Sequence, residues 1–193
     1  MGNLGLFIAL GAIALVVLLL IGWTISTYNR LVRQRNQVRA SWAQVDVQLV
    51  RRYDLIPNLV ETVKGYAAHE RSTLEAVVSA RNTAMAAAGT PGGTADRAAA
   101  ENVLTQALGR LFALAEAYPD LKANQNFAAL QAELANTEDK ISYSRQFYNS
   151  AVQTLTNSIQ SFPSSLVAGL GKFEPPAYFE AAGGERGPVQ VRF

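Results

Sequence analysis

No cysteine occurs in this chain of 193 residues, and histidine occurs once, at His69. The first absence excludes disulfides, thiol catalysis and zinc sites built on thiolates. The second excludes the usual di-iron helical bundle, which needs a Glu-x-x-His motif on each of two helices; no Glu-x-x-His is present. Gly-x-Ser-x-Gly elbows, phosphate loops and dinucleotide fingerprints are also missing. The glycine-rich "GTPGG" (Gly89 to Gly93) follows a helical run rather than a strand, and it lacks a P-loop lysine. No catalytic residue, metal site or cofactor is therefore expected. Net charge is only +2 and no RNA- or DNA-binding motif appears, so nucleic acid is not an expected partner.

Charge is absent from one end altogether: no side chain before Arg30 is charged at neutral pH. In its place stands "LGLFIALGAIALVVLLLIGWTI" (Leu4 to Ile25), 22 apolar or small residues in a row. As a helix this run spans about 30 Å, the thickness of a bilayer's hydrocarbon core. A secretory signal would carry a charged leader, a shorter apolar core and a small-x-small cleavage site. The residues around Trp23, Thr24 and Ile25 make a poor one, so an uncleaved membrane anchor is expected. Trp23 and Tyr28 would lie near the interface, where amphipathic rings are favoured.

Arg30, Arg33, Arg35 and Arg39 follow the span. By the positive-inside rule the bulk of the protein is expected in the cytoplasm, with the membrane crossed once and the N-terminus outside. The same arginines can hold anionic lipid headgroups at about 1 kcal/mol each. Gly2, Gly5, Ala9 and Ala12 recur at helical spacing along the span. Small residues let membrane helices approach closely, so this face is a candidate for self-association, although such residues are common in membrane spans.

Beyond the anchor, apolar residues keep helical spacing almost without pause. Leu31, Val38, Trp42, Val45 and Leu49 form one stripe, which is expected to stop near Arg52 or Tyr53, before Pro57. A second runs Ile56, Val60, Val63, Ala67, Glu70, Leu74, Val77, Arg81, Ala84 and Ala88, ending in the breaker "AAAGTPGGTAD". A third holds Leu104, Leu108, Leu111, Ala115 and Tyr118, closed by Pro119. The fourth extends from Phe127 to Phe162, where Pro163 stops it. The expected fold is all-α: a transmembrane helix continuing into an antiparallel up-down four-helix bundle, with an irregular C-terminal tail. The corresponding segments are an anchor at 1–29, a bundle at 30–162 and a tail at 163–193.

That tail holds four of the seven prolines. Phe173, Tyr178 and Phe179 are candidates to pin it down. Val189, Val191 and Phe193 alternate with polar residues, either as a frayed terminus or as a short strand added to another chain's sheet edge.

Two polar clusters stand out. In "RRYDLIPNLV", Arg51 and Arg52 would end the first bundle helix, complementing its dipole. Asp54 would cap the next helix and Pro57 would sit in its first turn. This helix-turn cluster has a structural explanation for every charge. The second cluster lies on the stripes themselves: Glu70, Arg81, Glu138 and Arg145 occupy slots assigned to the core-facing seam. Unpaired, such charges would cost several kcal/mol, so carboxylate–guanidinium pairs are expected among them. The pairs could set helix register or specify a partner surface. His69 falls one residue off the seam and reads as solvated.

Taken in order, "YNRLV" after the anchor, "DLIPNLVETVKGYAAHE", Ala80-Arg81, "EAYPDLKAN", "LQAELANTEDKISYSRQFYN", Phe162-Pro163 and "FEPPAYFE" resemble the LemA family from Tyr28 to Phe193. The resemblance implies a bacterial membrane protein with a helical-bundle soluble part. It puts weight on Arg52, Asp54, Pro57, Glu70, Arg81, Tyr118, Pro119, Glu138, Arg145, Tyr148 and Asn149. It brings no catalytic mechanism. It hints, by association only, at TPM-domain membrane proteins or membrane metalloproteases as partners. Two functional expectations stand: a membrane-anchored scaffold or adaptor that self-associates or binds other membrane proteins, and an enzyme or ligand-binding bundle that uses the Glu/Arg seam.

Overall fold

The computed structural model describes residues 2–88 and 94–179. Among these it is helical, with six helices and no strand. They are α1 (Gly2–Lys64), α2 (Arg71–Ala88), α3 (Thr94–Ala115), α4 (Pro119–Lys122), α5 (Gln125–Gln160) and α6 (Ser164–Leu170). The suggested terminal strand at Val189, Val191 and Phe193 lies outside the described residues, as do the surroundings of Gly2 and Gly5.

α1 runs 63 residues without a break, about 95 Å at 1.5 Å per residue. Its first part is long and apolar enough to cross a membrane, and no residue from Leu6 to Ser26 is buried. Burial starts at Thr27 and Leu31 and then recurs at Val38, Ser41, Val45, Leu49, Ile56, Leu59 and Val63. Those steps of three, four and seven are the helical stripe seen in the sequence.

The turn expected between Arg52 and Pro57 does not exist. Arg51, Arg52, Asp54 and Pro57 all lie inside α1. Asp54 is exposed and caps nothing at a helix start. A proline inside a helix removes one bond to the carbonyl four residues back, here that of Tyr53. The loss is made good from another helix: Arg81 of α2 donates Nε–H to the Tyr53 carbonyl oxygen at 2.7 Å. With the freed acceptor satisfied, the chain has no need to stop.

The real break comes at Gly65. The Val63 carbonyl accepts from both Tyr66 (3.0 Å) and Ala67 (2.9 Å), and Ala67 is buried beneath the turn. Glu70 then precedes α2, its carbonyl accepting from Leu74 at 3.3 Å. α2 and α3 pack on each other through small residues, with Ala80, Ala84, Ala98, Ala100 and Ala107 all buried. After the four-residue α4, Asn124 caps α5 by accepting from the Phe127 N–H at 3.0 Å.

The chain divides into two compact units. Of the described residues, one gathers those up to Ala40 with Ser150–Pro176; the other gathers Ser41–Asn149 with 177–179. In the first unit α6 buries Val167 and Ala168, and the Phe173 ring packs edge-on against Tyr28 at 5.5 Å. In the second, Phe179 is buried and held at both backbone groups. Its N–H donates to Asn149 Oδ1 (2.9 Å), and its carbonyl accepts from Asn149 Nδ2 (3.0 Å). Tyr148 adds a bond to the Ala177 carbonyl at 2.8 Å. Of the three aromatic pins expected in the tail, Phe173 and Phe179 are buried and Tyr178 is exposed.

Candidate functional site: a buried arginine–carboxylate network

Among the described residues Arg52 is the largest fully buried side chain, and its partners Glu101, Thr105 and Glu138 lie with it in the second unit. It reaches out of α1 to two other helices. Nη2 donates to Glu101 Oε2 of α3, and Nη1 donates to Glu138 Oε2 of α5 (2.6 Å) and to Thr105 Oγ1 of α3 (3.0 Å). Glu101 is completely buried, and its other oxygen accepts from the Tyr53 hydroxyl. Charge and countercharge are thus removed from water together, with both carboxylate oxygens satisfied, which such burial requires. Burial, reinforced by the hydrogen bond to Glu101 and its charge, pushes the Tyr53 phenol well above its ordinary range. Tyr53 is therefore a firm donor at neutral pH.

A second buried guanidinium lies one turn earlier on α3. Arg97 donates to Asp46 of α1 and stacks over the Trp42 ring at 5.1 Å. Trp42 meets Tyr148 at 5.1 Å and Phe179 at 5.7 Å, and the Arg145 guanidinium lies 4.5 Å from the Phe179 ring centre. Burial raises the Tyr148 phenol above its ordinary value as well. The planar guanidinium suits each of these tasks, since it bonds in a fork and stacks on aromatic faces.

The expected seam residues have separate placements. Glu138 does pair with an arginine, but with Arg52 of α1. Arg81 is directed at the Tyr53 backbone, Arg145 covers Phe179, and Glu70 stands before α2 with the Tyr118 hydroxyl 3.4 Å away. Arg51 forms an exposed pair with Glu133. His69 is exposed. Arg30, Arg33 and Arg39 are exposed on α1, while Arg35 is half-buried over the Phe173 ring at 5.1 Å. Ala9 and Ala12 are exposed like the rest of the apolar run.

Sequence reasoning missed Arg97, Glu101 and Tyr53, which are buried, and Asp46 and Thr105, which bond to the buried arginines. A signal was available for two of them. Continuing the Leu104–Leu108–Leu111 stripe backward by three and four reaches Glu101 and Arg97.

Chemically the network is a clasp. Both Glu101 oxygens are engaged within the protein, and the residue is fully buried. A groove of about 780 Å³ lies elsewhere, along Val60, Lys64, Arg71, Leu74 and Val78. No group of three or more metal-ligating side chains converges among the described residues.

These features define a class: an all-helical protein with one apolar N-terminal helix and a polar clasp joining α1, α3 and α5. The chain belongs to the LemA family, whose model matches residues 41–193. Among similar proteins, Magnetosome protein MamQ of Magnetospirillum gryphiswaldense is 26% identical over 200 residues, covering 92% of this chain and 73% of that protein. Magnetosome proteins MamQ 1 and MamQ 2 of Paramagnetospirillum magneticum are each 26% identical over 188 residues, covering 86% of this chain and 69% of theirs.

Proposed function

We propose that this protein is a membrane-anchored helical scaffold or adaptor. The observation that carries the reading is the continuity of α1. One unbroken helix holds both the exposed apolar run of Leu6–Ile25 and Arg52, the centre of the clasp. Apolar side chains exposed over that length are stable in a bilayer and not in water. The helical part is read as an antiparallel bundle. Supporting this, a step back along α1 goes with a step forward along α5: Arg51 and Arg52 pair with Glu133 and Glu138, whereas the earlier Trp42 meets the later Tyr148. Positive-inside bias from Arg30, Arg33, Arg35 and Arg39 favours a cytoplasmic bundle at the inner membrane. The relatives' name associates them with the magnetosome, which accords with a structural role in an assembly. The partners we propose are membrane lipids, further copies of the chain, and other membrane proteins such as TPM-domain proteins or metalloproteases.

The enzymatic alternative would use a carboxylate of the seam. The double engagement of Glu101 favours the scaffold instead, as does a groove lining that includes none of Arg52, Tyr53, Glu101, Thr105 and Glu138.

Two measurements test the proposal. Native mass spectrometry of the gently extracted particle should give a homo-oligomer or a stoichiometric complex with a second membrane protein. A bare monomer that turns over a small molecule would refute it. For topology, the chain's lack of cysteine permits Asn3→Cys and Gly187→Cys to be probed with an impermeant maleimide. Only the first should label in intact cells; labelling of the second would overturn the cytoplasmic assignment.

A further inference from the structure

α6 hides one face and leaves another bare. Val167 and Ala168 are buried within the first unit, whereas Leu166 and Leu170, four apart on α6, and Phe162, in the turn before it, are 61%, 84% and 80% exposed. Three large apolar side chains on one short stretch would be a liability in water. Their position relates them to the anchor. A small apolar cavity of about 280 Å³ is lined jointly by Thr24, Ile25 and Tyr28 of α1 and by Val167, Leu170 and Gly171. Leu170 therefore lies at the level where the uncharged run ends, beside Tyr28, whose ring also contacts Phe173.

The surrounding charge is of one sign. This unit contains Arg30, Arg33, Arg35, Arg39 and Lys172 against a single acid, Glu174. Arg30, Arg33 and Lys172 are exposed. An apolar ridge next to a cationic rim, at the end of a membrane span, has the composition of an interfacial element.

From this we infer that the α6 ridge of Phe162, Leu166 and Leu170 inserts into the headgroup–acyl boundary of the membrane, as a second contact beside the anchor. The inference rests on the anchored reading of α1. The occupant is the lipid surface itself, because the ridge is continuous with the apolar run and its rim suits anionic headgroups. The second contact would fix the rotation of α1 about its own axis, which a single span leaves free.

The test uses the full-length chain in vesicles of phosphatidylcholine and phosphatidylglycerol. Single variants Phe162→Cys, Leu166→Cys, Leu170→Cys, Ile13→Cys and Gln153→Cys carry an environment-sensitive fluorophore. Ile13 reports the anchor, and Gln153, an exposed polar site of the same unit, gives the aqueous reference. Nitroxide lipids with shallow or deep labels serve as quenchers. Labels on the ridge should blue-shift and be quenched several-fold more than Gln153, most strongly by the shallow nitroxide. Deep quenching at Ile13 with Gln153-like behaviour at Leu166 and Leu170 overturns the inference while leaving the anchor standing. A blue shift on the ridge without lipid quenching also overturns it, in favour of contact with a second copy. Absence of quenching at Ile13 removes the anchored reading and the inference together.

Discussion

Replacing Arg81 with methionine removes one N–H donor and keeps most of the aliphatic stem. Its cost depends on a residue in another helix, Pro57. The Tyr53 carbonyl would ordinarily accept from the amide four residues on, which in this chain is the nitrogen of Pro57 and has no hydrogen. Arg81 Nε supplies that bond at 2.7 Å from a half-buried position. Loss of a charge-assisted bond that leaves a carbonyl unsatisfied costs about 1.5–3 kcal/mol. For a chain of this size that is a fall in Tm of about 3–12 °C. In a Pro57→Ala background the amide returns and the helix satisfies its own carbonyl. There Arg81→Met should cost less than about 1 kcal/mol, a coupling of about 1–2 kcal/mol between positions 24 apart in the chain. The four proteins of the cycle would be compared by thermal and urea unfolding of the full chain in mild detergent, followed by far-UV circular dichroism. Equal losses from Arg81→Met in both backgrounds would refute the reasoning, since Arg81 would then act through packing or charge alone.

Further outcomes are expected. Arg52→Met should destabilise by about 3–5 kcal/mol, almost all through the stranded Glu101, because Glu138 is 41% exposed and can rehydrate. The double variant Arg52→Met/Glu101→Leu should recover a large part of that loss in urea unfolding, and no recovery would argue against the clasp. Tyr53 titrates from an ordinary 10.0 in the unfolded chain to a higher value when folded. Its stabilisation is thus complete below pH 10.0 and lost as pH rises through the folded value, so Tyr53→Phe should show a shallower alkaline decline. Phenolate absorbance of the native chain should lag behind that of the chain in denaturant. Gly171→Ala would place a Cβ 2.6 Å from the Phe173 ring and 3.1 Å from Tyr28. With that ring held between Tyr28 and Arg35, the overpacking should cost about 1–3 kcal/mol and speed proteolysis after Lys172.

The elements that were legible beforehand share a cause. The apolar N-terminal helix follows from an uncharged run long enough to match a bilayer. The stripes on α1, α2 and α5 follow from apolar residues at helical spacing. Both are properties of neighbours along the chain. The stripe of α3 is apolar only from Leu104 on; Glu101 and Arg97 continue it with charge, and their partners on α1 are what hold them there.

What the sequence by itself determined, then, is the helical class, the apolar N-terminal helix and the core-facing side of most helices. Those depend on local periodicity and composition, which do not need a partner. Tertiary structure decided the rest. Pro57 breaks a helix in isolation and is absorbed here because Arg81 arrives from α2. Glu138 was expected to meet an arginine of the seam, and it meets Arg52 because α1, α3 and α5 adjoin. An acceptor freed in one helix, or a charge buried in another, is settled only by whichever donor the fold brings within about 3 Å, and no spacing along the chain encodes that distance.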